Sequence, residues 1–138
     1  MANAPAAHIL IVEDDGALLE VLRYVLEDEG YQVSTADNGP DALQLIATTR
    51  IDLVVLDCSM SKMAGFDVAR TLRADQRTSH VPIALHTGLP EDAVRTRFTD
   101  YDLYMAKADD ADALTGSIRR ALAAAAARAA ANPSTAQP

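Results

Sequence analysis

Four apolar runs in this sequence each end in, or just before, a side chain suited to chemistry. Glu13 and Asp14 follow the first run, and Asp57 closes the run that begins near Ile51. Thr87 and Lys107 follow two later runs in the same way. Three carboxylates cannot crowd together in their ionised form without a cation. Because hard oxygen ligands with room for water suit Mg²⁺, these acids predict a magnesium site if the run ends meet.

The same residues indicate phosphoryl chemistry. A carboxylate such as that of Asp57 can act as a nucleophile and become an aspartyl phosphate. The Lys107 ammonium and the Thr87 hydroxyl would then hold the phosphoryl oxygens, since phosphoryl transfer depends on positioning and charge neutralisation. A catalytic set of Asp57, Thr87 and Lys107 is therefore expected beside the metal site.

The apolar runs are too short for helices of ordinary length, and each is followed by a stretch with helical spacing. Strands are predicted at 8–12, 31–36, 51–56, 81–86 and 103–106, and helices at 16–29, from 40, around 66–73 and at 90–98, with a fifth marked by Leu114, Ile118 and Leu122 and extending to about 131. Such alternation predicts an α/β fold, a doubly wound parallel sheet between two helical layers with right-handed crossovers. The carboxyl ends of its strands share one edge, which would bring the reactive side chains together.

Composition restricts the class of protein. The 138 residues suffice for one domain, and half of them are hydrophobic. The net charge of -8 argues against direct nucleic-acid binding. The single cysteine, Cys58, fits a reducing compartment. With no signal peptide and no apolar run near the roughly 20 residues of a membrane span, a cytoplasmic protein without membrane contact is expected.

The ordered set of motifs resembles the response-regulator receiver domain of two-component signalling, including the chemotaxis receivers. The matching segments are 9–15, 30–33, 36–42, 52–57 with Met60, Met63 and Gly65, 81–87, and Lys107. The similarity predicts a receiver domain over residues 7–122, with 123–138 as an alanine-rich helix extension and disordered tail. It also implies a flavodoxin-like sheet with strand order 2-1-3-4-5.

By this resemblance, Asp57 accepts a phosphoryl group from a histidine kinase or a histidine phosphotransfer protein. Glu13, Asp14, Asp57 and the backbone carbonyl of Ser59 would bind Mg²⁺. Thr87 and Tyr104 would act as the switch, altering a face made by the fourth helix, the fifth strand and the fifth helix.

The switched face would act on a downstream protein target or an effector domain, and the resemblance also allows a homodimer through it. The chain would not be a turnover enzyme, because it would catalyse only its own phosphorylation and dephosphorylation. It is either a stand-alone receiver or part of a longer chain.

The sequence departs from the family pattern near the reactive lysine. Ala108 stands where the family has a proline after Lys107, and because a non-proline cis bond costs about 2.5–4 kcal/mol we expect a trans bond there. Ser61 and Ala64 also replace the usual residues in the loop after Asp57. These departures keep open a pseudo-receiver, a phosphorylation-independent interaction module. An aspartate-nucleophile phosphatase is excluded, because Ser59 occupies the position of its second acid.

The remaining titratable residues near the motifs have plainer interpretations. Cys58 and His86 adjoin the site but are expected to pack in the core. His8 and His80 are expected at the surface.

Overall fold

A computed structural model describes residues 6–59 and 65–131. Its strands are β1 (His8–Val12), β2 (Gln32–Ala36), β3 (Leu53–Asp57), β4 (Ile83–Thr87) and β5 (Leu103–Ala106). Its helices are α1 (Gly16–Asp28), α2 (Gly39–Thr48), α3 (Gly65–Ala74), α4 (Glu91–Arg95) and α5 (Ala111–Ala131). All strand pairs are parallel, and the sheet order is β2-β1-β3-β4-β5. The predicted α/β architecture and strand order are confirmed.

The side chains of the central strands alternate between two hydrophobic cores, one on each face of the sheet. Ile9 and Ile11 of β1 lie in the core covered by α1 and α5. Leu10 and Val12 lie in the opposite core, which α2, α3 and α4 cover. Burial on both faces explains why these strands read as continuous apolar runs, with no polar alternation. It confirms the three-layer, doubly wound arrangement.

Local signals set the ends of the first two helices. The Asp15 carboxylate caps α1 by accepting hydrogen bonds from the amides of Ala17 and Leu18. Gly30 follows the helix with φ of 97°, a left-handed conformation that glycine adopts without strain. Asn38 caps α2 through the amide of Asp41. These caps fix where the chain leaves β1 and β2, and hence the position of the acidic turn after β1.

Several predicted boundaries were wrong by one or two residues. β3 begins at Leu53 and includes Asp57, and β4 begins at Ile83 and includes Thr87, because these residues pair in register with the neighbouring strands. The strand β2 begins at Gln32 rather than at residue 31. The reactive side chains therefore lie on the last residues of strands and are held by the sheet.

The fourth helix is shorter than predicted, ending at Arg95 rather than near residue 98. The carbonyls after its end are bound by guanidinium groups of α3. Arg70 donates to the Arg97 carbonyl at 3.0 Å, and Arg73 donates to the Asp100 carbonyl at 3.0 Å. Because Arg70 and Arg73 are distant in sequence from these carbonyls, local periodicity cannot predict the hydrogen bonds between them.

The fifth helix extends to Ala131, as the alanine-rich sequence predicted. Arg128, near its end, lies 3.7 Å from the Asp102 carboxylate at the start of β5. The predicted tail falls outside the described residues. No helix in the described part of the chain is long and apolar enough to span a membrane.

Candidate functional site

Three carboxylates converge at the carboxyl edge of the sheet. The strands β1 and β3 are parallel neighbours with Val12 opposite Leu56, so the acids that follow in each strand lie side by side. One oxygen each from Glu13, Asp14 and Asp57 lies within 4.8 Å of the others. Glu13 and Asp57 are buried, and Asp14 is exposed. We call this cluster of two buried acids and one exposed acid the acidic pocket.

The Lys107 ammonium lies between the two buried acids. Its Nζ is 3.3 Å from Asp57 Oδ1 and 3.4 Å from Glu13 Oε1. Burial alone would lower the pKa of Lys107, but the charges of Asp57 and Glu13 outweigh burial and raise that pKa. The lysine therefore stays charged, beside a carboxylate oxygen of Asp57.

The Glu13 carboxyl group is electrostatically strained by its surroundings. Burial raises the Glu13 pKa to about 7. The hydrogen bond from the Asp15 amide opposes that shift, and the Asp57 charge adds to it. Oε2 accepts a hydrogen bond from the Asp15 amide at 3.2 Å, whereas the buried Oε1 has no hydrogen-bond partner among the described residues and forms an ion pair with Lys107. A buried oxygen without a hydrogen bond in a group of acids is the environment that a divalent cation would complete.

The donors of this pocket fit a hard cation. Carboxylate oxygens from Glu13, Asp14 and Asp57 are the ligand type that Mg²⁺ and Ca²⁺ prefer. Ser59 is held close by its amide, which donates to Asp57 Oδ1 at 3.2 Å. The predicted role of the Ser59 carbonyl as a ligand stays a prediction.

Thr87 lies at the end of β4, buried beside the pocket. Its hydroxyl accepts a hydrogen bond from the Leu89 amide at 3.0 Å. The Leu89 carbonyl in turn accepts a hydrogen bond from the Tyr104 hydroxyl. Tyr104 is half-buried and packs against the core under α2, α3 and α4. A chain of two hydrogen bonds thus connects Thr87 to Tyr104.

Two neighbours of the site pack in the interior as predicted. Burial raises the pKa of the Cys58 thiol to about 11, so little reactive thiolate forms. His86 is buried opposite Asp57 and Met105, and within the described ranges its Nδ1 has no hydrogen-bond partner. Burial, together with the Lys107 charge, lowers the His86 pKa, which favours a neutral ring.

The prediction that His8 lies at the surface was wrong. It is buried, with Nε2 2.7 Å from the Ser34 hydroxyl, and its amide donates to Asp52. The physical reason is its pairing position between β2 and β3, where neighbouring strands cover it. His80 is exposed, as predicted.

Two contacts that shape the site were not predicted from the sequence, although Gly65 was among the motif residues. Gly65 packs against the backbone of Asp57, so closely that a Cβ at residue 65 would collide with the Asp57 carbonyl. Asp109 closes the turn that follows Lys107. The trans bond predicted after Lys107 is confirmed, because the described ranges contain no cis peptide bond. The motif residues Met60, Ser61, Met63 and Ala64 lie outside the described residues.

This chain is similar in sequence to a known protein family. The family model "Response regulator receiver domain" matches residues 9–126. The chain is 43% identical over 84 residues to the response regulator PleD of Caulobacter vibrioides, covering 61% of this chain and 18% of PleD. It is 34% identical over 122 residues to the transcriptional regulatory protein GlrR of Escherichia coli, covering 88% of this chain and 27% of GlrR. The chain therefore spans only a small part of these relatives.

Solved structures show the same fold and a similar sequence. The signal receiver domain of a histidine kinase from Syntrophus aciditrophicus superimposes with a TM-score of 0.80 at 33% identity, covering 86% of this chain and 92% of that one. TrrA from Thermotoga maritima, solved in complex with Mg(2+)-BeF, gives a TM-score of 0.76 at 30% identity, covering 83% and 98%. With its parallel sheet, its acidic pocket and a family match over most of its length, this chain belongs to the response-regulator receiver domains of two-component signalling.

Proposed function

We propose that this receiver takes a phosphoryl group onto Asp57 from a phosphohistidine of a histidine kinase or phosphotransfer protein, in a reaction that requires Mg²⁺. The observation that carries the proposal is the buried Asp57 carboxylate with Lys107 Nζ at 3.3 Å and two further acids beside it. The similarity to TrrA, a protein solved with Mg(2+)-BeF, supports the same chemistry here.

The proposed transfer is a single displacement. An Asp57 carboxylate oxygen forms a bond to phosphorus, the bond from phosphorus to the donor imidazole nitrogen breaks, and the imidazole keeps that electron pair. Lys107 neutralises the developing charge on the phosphoryl oxygens, and Thr87 donates its hydroxyl hydrogen to one of them. Mg²⁺, held by Glu13, Asp14, Asp57 and the Ser59 carbonyl, would supply further charge neutralisation. Hydrolysis of the acyl phosphate returns the free carboxylate, so the chain catalyses only its own modification.

The alternative is a pseudo-receiver that keeps the fold without the phosphate chemistry. Its sequence support was the missing proline after Lys107. The trans turn at Ala108 nevertheless leaves the Lys107 ammonium within 3.4 Å of both acids. This geometry favours the phosphorylatable receiver.

Labelling with acetyl phosphate distinguishes a phosphorylatable receiver from a pseudo-receiver. With Mg²⁺ present, the wild-type protein is expected to gain the mass of one phosphoryl group, located on Asp57 by peptide mapping, and EDTA should prevent the gain. Beryllofluoride should bind under the same conditions. Absence of both adducts in a folded, magnesium-saturated protein would favour the pseudo-receiver.

Magnesium affinity should depend on pH through Glu13. A Mg²⁺ ligand must be ionised, so with a Glu13 pKa of about 7 the affinity should fall about tenfold between about pH 8 and about pH 6. Isothermal titration calorimetry at the two pH values measures this ratio. Glu13→Gln should bind Mg²⁺ more weakly with a flatter pH profile, and an equally steep profile in that variant would assign the titration elsewhere.

The metal-free protein should show the opposite trend in stability. The folded-state pKa of Glu13 is raised from 4.5 to about 7, so between these values the folded state binds more protons than the unfolded state. The Glu13 contribution is therefore fully present below the unfolded pKa and is lost as pH rises through about 7. Added Mg²⁺ should consequently raise the melting temperature more at about pH 8 than at about pH 6.

The surface of α1 supports a protein phosphodonor. This helix begins directly after the acidic turn, and its Val21 and Tyr24 side chains are 57% and 72% exposed. Large apolar side chains exposed on a surface are typical of partner contacts. We therefore place donor docking on this helix.

Tyr24→Ala should separate docking from chemistry. Loss of an aromatic contact of about 2 kcal/mol would reduce phosphotransfer from the cognate kinase about 30-fold. Labelling by acetyl phosphate should stay unchanged, because Tyr24 is an exposed residue of α1 and is not one of the clustered acids. Rates would be measured against a panel of the host's histidine kinases, with the exposed Gln76→Ala as control. Equal transfer rates in the Tyr24 variant and wild type would rule out this surface.

We propose that the switch runs from Thr87 to Tyr104 through Leu89. When the Thr87 hydroxyl turns to the phosphoryl group, the Leu89 amide loses its acceptor, and the peptide that holds the Tyr104 hydroxyl is freed. Amide hydrogen exchange should therefore be faster at Leu89 after beryllofluoride binding. Thr87→Val should show fast exchange before any addition. Unchanged protection of Leu89 in the beryllofluoride complex would contradict this route.

The output is proposed to pass through the face of α4, β5 and α5, to a protein target, to an effector domain on a longer chain, or to a second copy in a homodimer. GlrR and PleD, of which this chain covers only a part, are much longer proteins. The net charge of -8 does not favour direct contact of this domain with nucleic acid. A cytoplasmic location stays a prediction.

A further inference from the structure

The reactive lysine is held on a closed turn whose hydrogen bonds come from one aspartate. The Asp109 amide donates to the Ala106 carbonyl at 3.0 Å. The Ala106 amide donates to Asp109 Oδ2 at 3.2 Å. These two hydrogen bonds join Ala106 to Asp109, the residues on either side of Lys107 and Ala108. Asp109 therefore closes the short segment that carries the lysine.

The edge position of β5 makes this closed turn important. In the part of the chain that the structure describes, β5 has β4 as its only sheet neighbour, and the Lys107 amide donates to the Thr87 carbonyl at 2.9 Å. The Ala106 amide instead bonds to the Asp109 carboxylate. Ala108 lacks the ring that fixes φ in proline, so it imposes no comparable restraint on the turn. Among the described contacts, the backbone near Lys107 is therefore held by its hydrogen bond to β4 and by the turn that Asp109 closes. Together these contacts set the direction of the lysine side chain.

We propose that Asp109 is a positioning residue for phosphoryl transfer, acting through Lys107. The inference rests on the proposed function of Asp57 as phosphoacceptor. Asp109 aims the ammonium so that it reaches Asp57 Oδ1 and Glu13 Oε1 together, at 3.3 and 3.4 Å. Since a displacement of about 1 Å can slow a reaction about 100-fold, loosening this turn should impair transfer without removing any group that touches the phosphoryl oxygens.

Asp109 could influence phosphoryl transfer through its negative charge instead of through its hydrogen bond. A matched pair of variants distinguishes these two effects. Asp109→Ala removes the acceptor for the Ala106 amide and the negative charge together. Asp109→Asn removes only the charge, because its amide oxygen can accept the same hydrogen bond. Asp112→Asn removes a nearby exposed charge at the start of α5 and serves as the control.

The first experiment measures phosphorylation by acetyl phosphate at saturating Mg²⁺. Asp109→Ala should react at least about tenfold more slowly, approaching Lys107→Met, for which loss of one charge-stabilising group predicts about 100-fold. Asp109→Asn and Asp112→Asn should react within about twofold of wild type. Magnesium affinity should be equal in the Asp109 variants and wild type, which distinguishes a misdirected lysine from a damaged metal site.

The second experiment is independent of phosphorylation. Amide exchange at Ala106 should accelerate in Asp109→Ala and not in Asp109→Asn, while protection in β1 and β3 reports that the fold is intact. A wild-type rate in Asp109→Ala, or equal slowing in Asp109→Asn, overturns the positioning role. If wild-type protein accepts no phosphoryl group, the proposed function fails, and unchanged Ala106 exchange in Asp109→Ala separately refutes the hydrogen-bonded turn.

Discussion

Replacement of Asp57 by asparagine should abolish phosphorylation completely. The variant keeps a side chain of the same shape at the end of β3, but an amide cannot act as the carboxylate nucleophile. Mass spectrometry after incubation with acetyl phosphate and Mg²⁺ should show no added phosphoryl group. Mg²⁺ should also bind more weakly, because one of the three clustered carboxylates is gone.

The same variant should change Glu13 in a measurable way. The Asp57 charge contributes to the raised Glu13 pKa, so Asp57→Asn should move that pKa down toward its ordinary value. NMR titration of the Glu13 carboxyl carbon in metal-free protein would measure this shift. Asp28→Asn, at the exposed end of α1, is the control and should leave both readouts unchanged. A full phosphoryl adduct in folded Asp57→Asn protein would place the acceptor on another residue.

A methyl group at residue 65 should destabilise the fold and distort the phosphoacceptor. The Cβ of Gly65→Ala would collide with the Asp57 carbonyl oxygen and approach the Asp57 carbonyl carbon to 2.9 Å. Both are backbone atoms of a strand paired on each side, so they cannot yield as a flexible side chain would. We expect a loss of about 3 kcal/mol in the free energy of unfolding, at the upper end for overpacking.

Urea unfolding and acetyl phosphate labelling would test this second expectation together. The matched control is Gly16→Ala in the first turn of α1, where an added Cβ has no atom of another described segment within 4 Å. That control should be neutral or stabilise by up to about 1 kcal/mol, because alanine favours helix. If Gly65→Ala matched Gly16→Ala in both stability and labelling rate, the close packing of residue 65 on Asp57 would have no energetic consequence.

The sequence by itself determined the architecture and the meeting of the reactive groups. Apolar runs buried on both faces predicted parallel strands, and acids or a lysine placed at run ends had to converge once the strands were parallel. Periodicity places Glu13, Asp57 and Lys107 at one edge of the sheet, and the strand order, which the family resemblance implied, brings their strands close together. The alanine-rich helix to residue 131 was predicted from propensity in the same way.

Only the tertiary structure decided features that depend on contacts between distant segments. His8 is buried because β2 and β3 lie on either side of it, and α4 ends early where Arg70 and Arg73 bind the following loop. The raised Glu13 pKa depends on burial by surrounding elements. The close approach of Gly65 to Asp57 is likewise a property of packing. The hydrogen bond from the Ala106 amide to Asp109 depends on the path of the turn. Sequence spacing determines which side of an element a residue occupies, whereas desolvation, steric contact and competition for backbone hydrogen bonds are set only when the chain is folded.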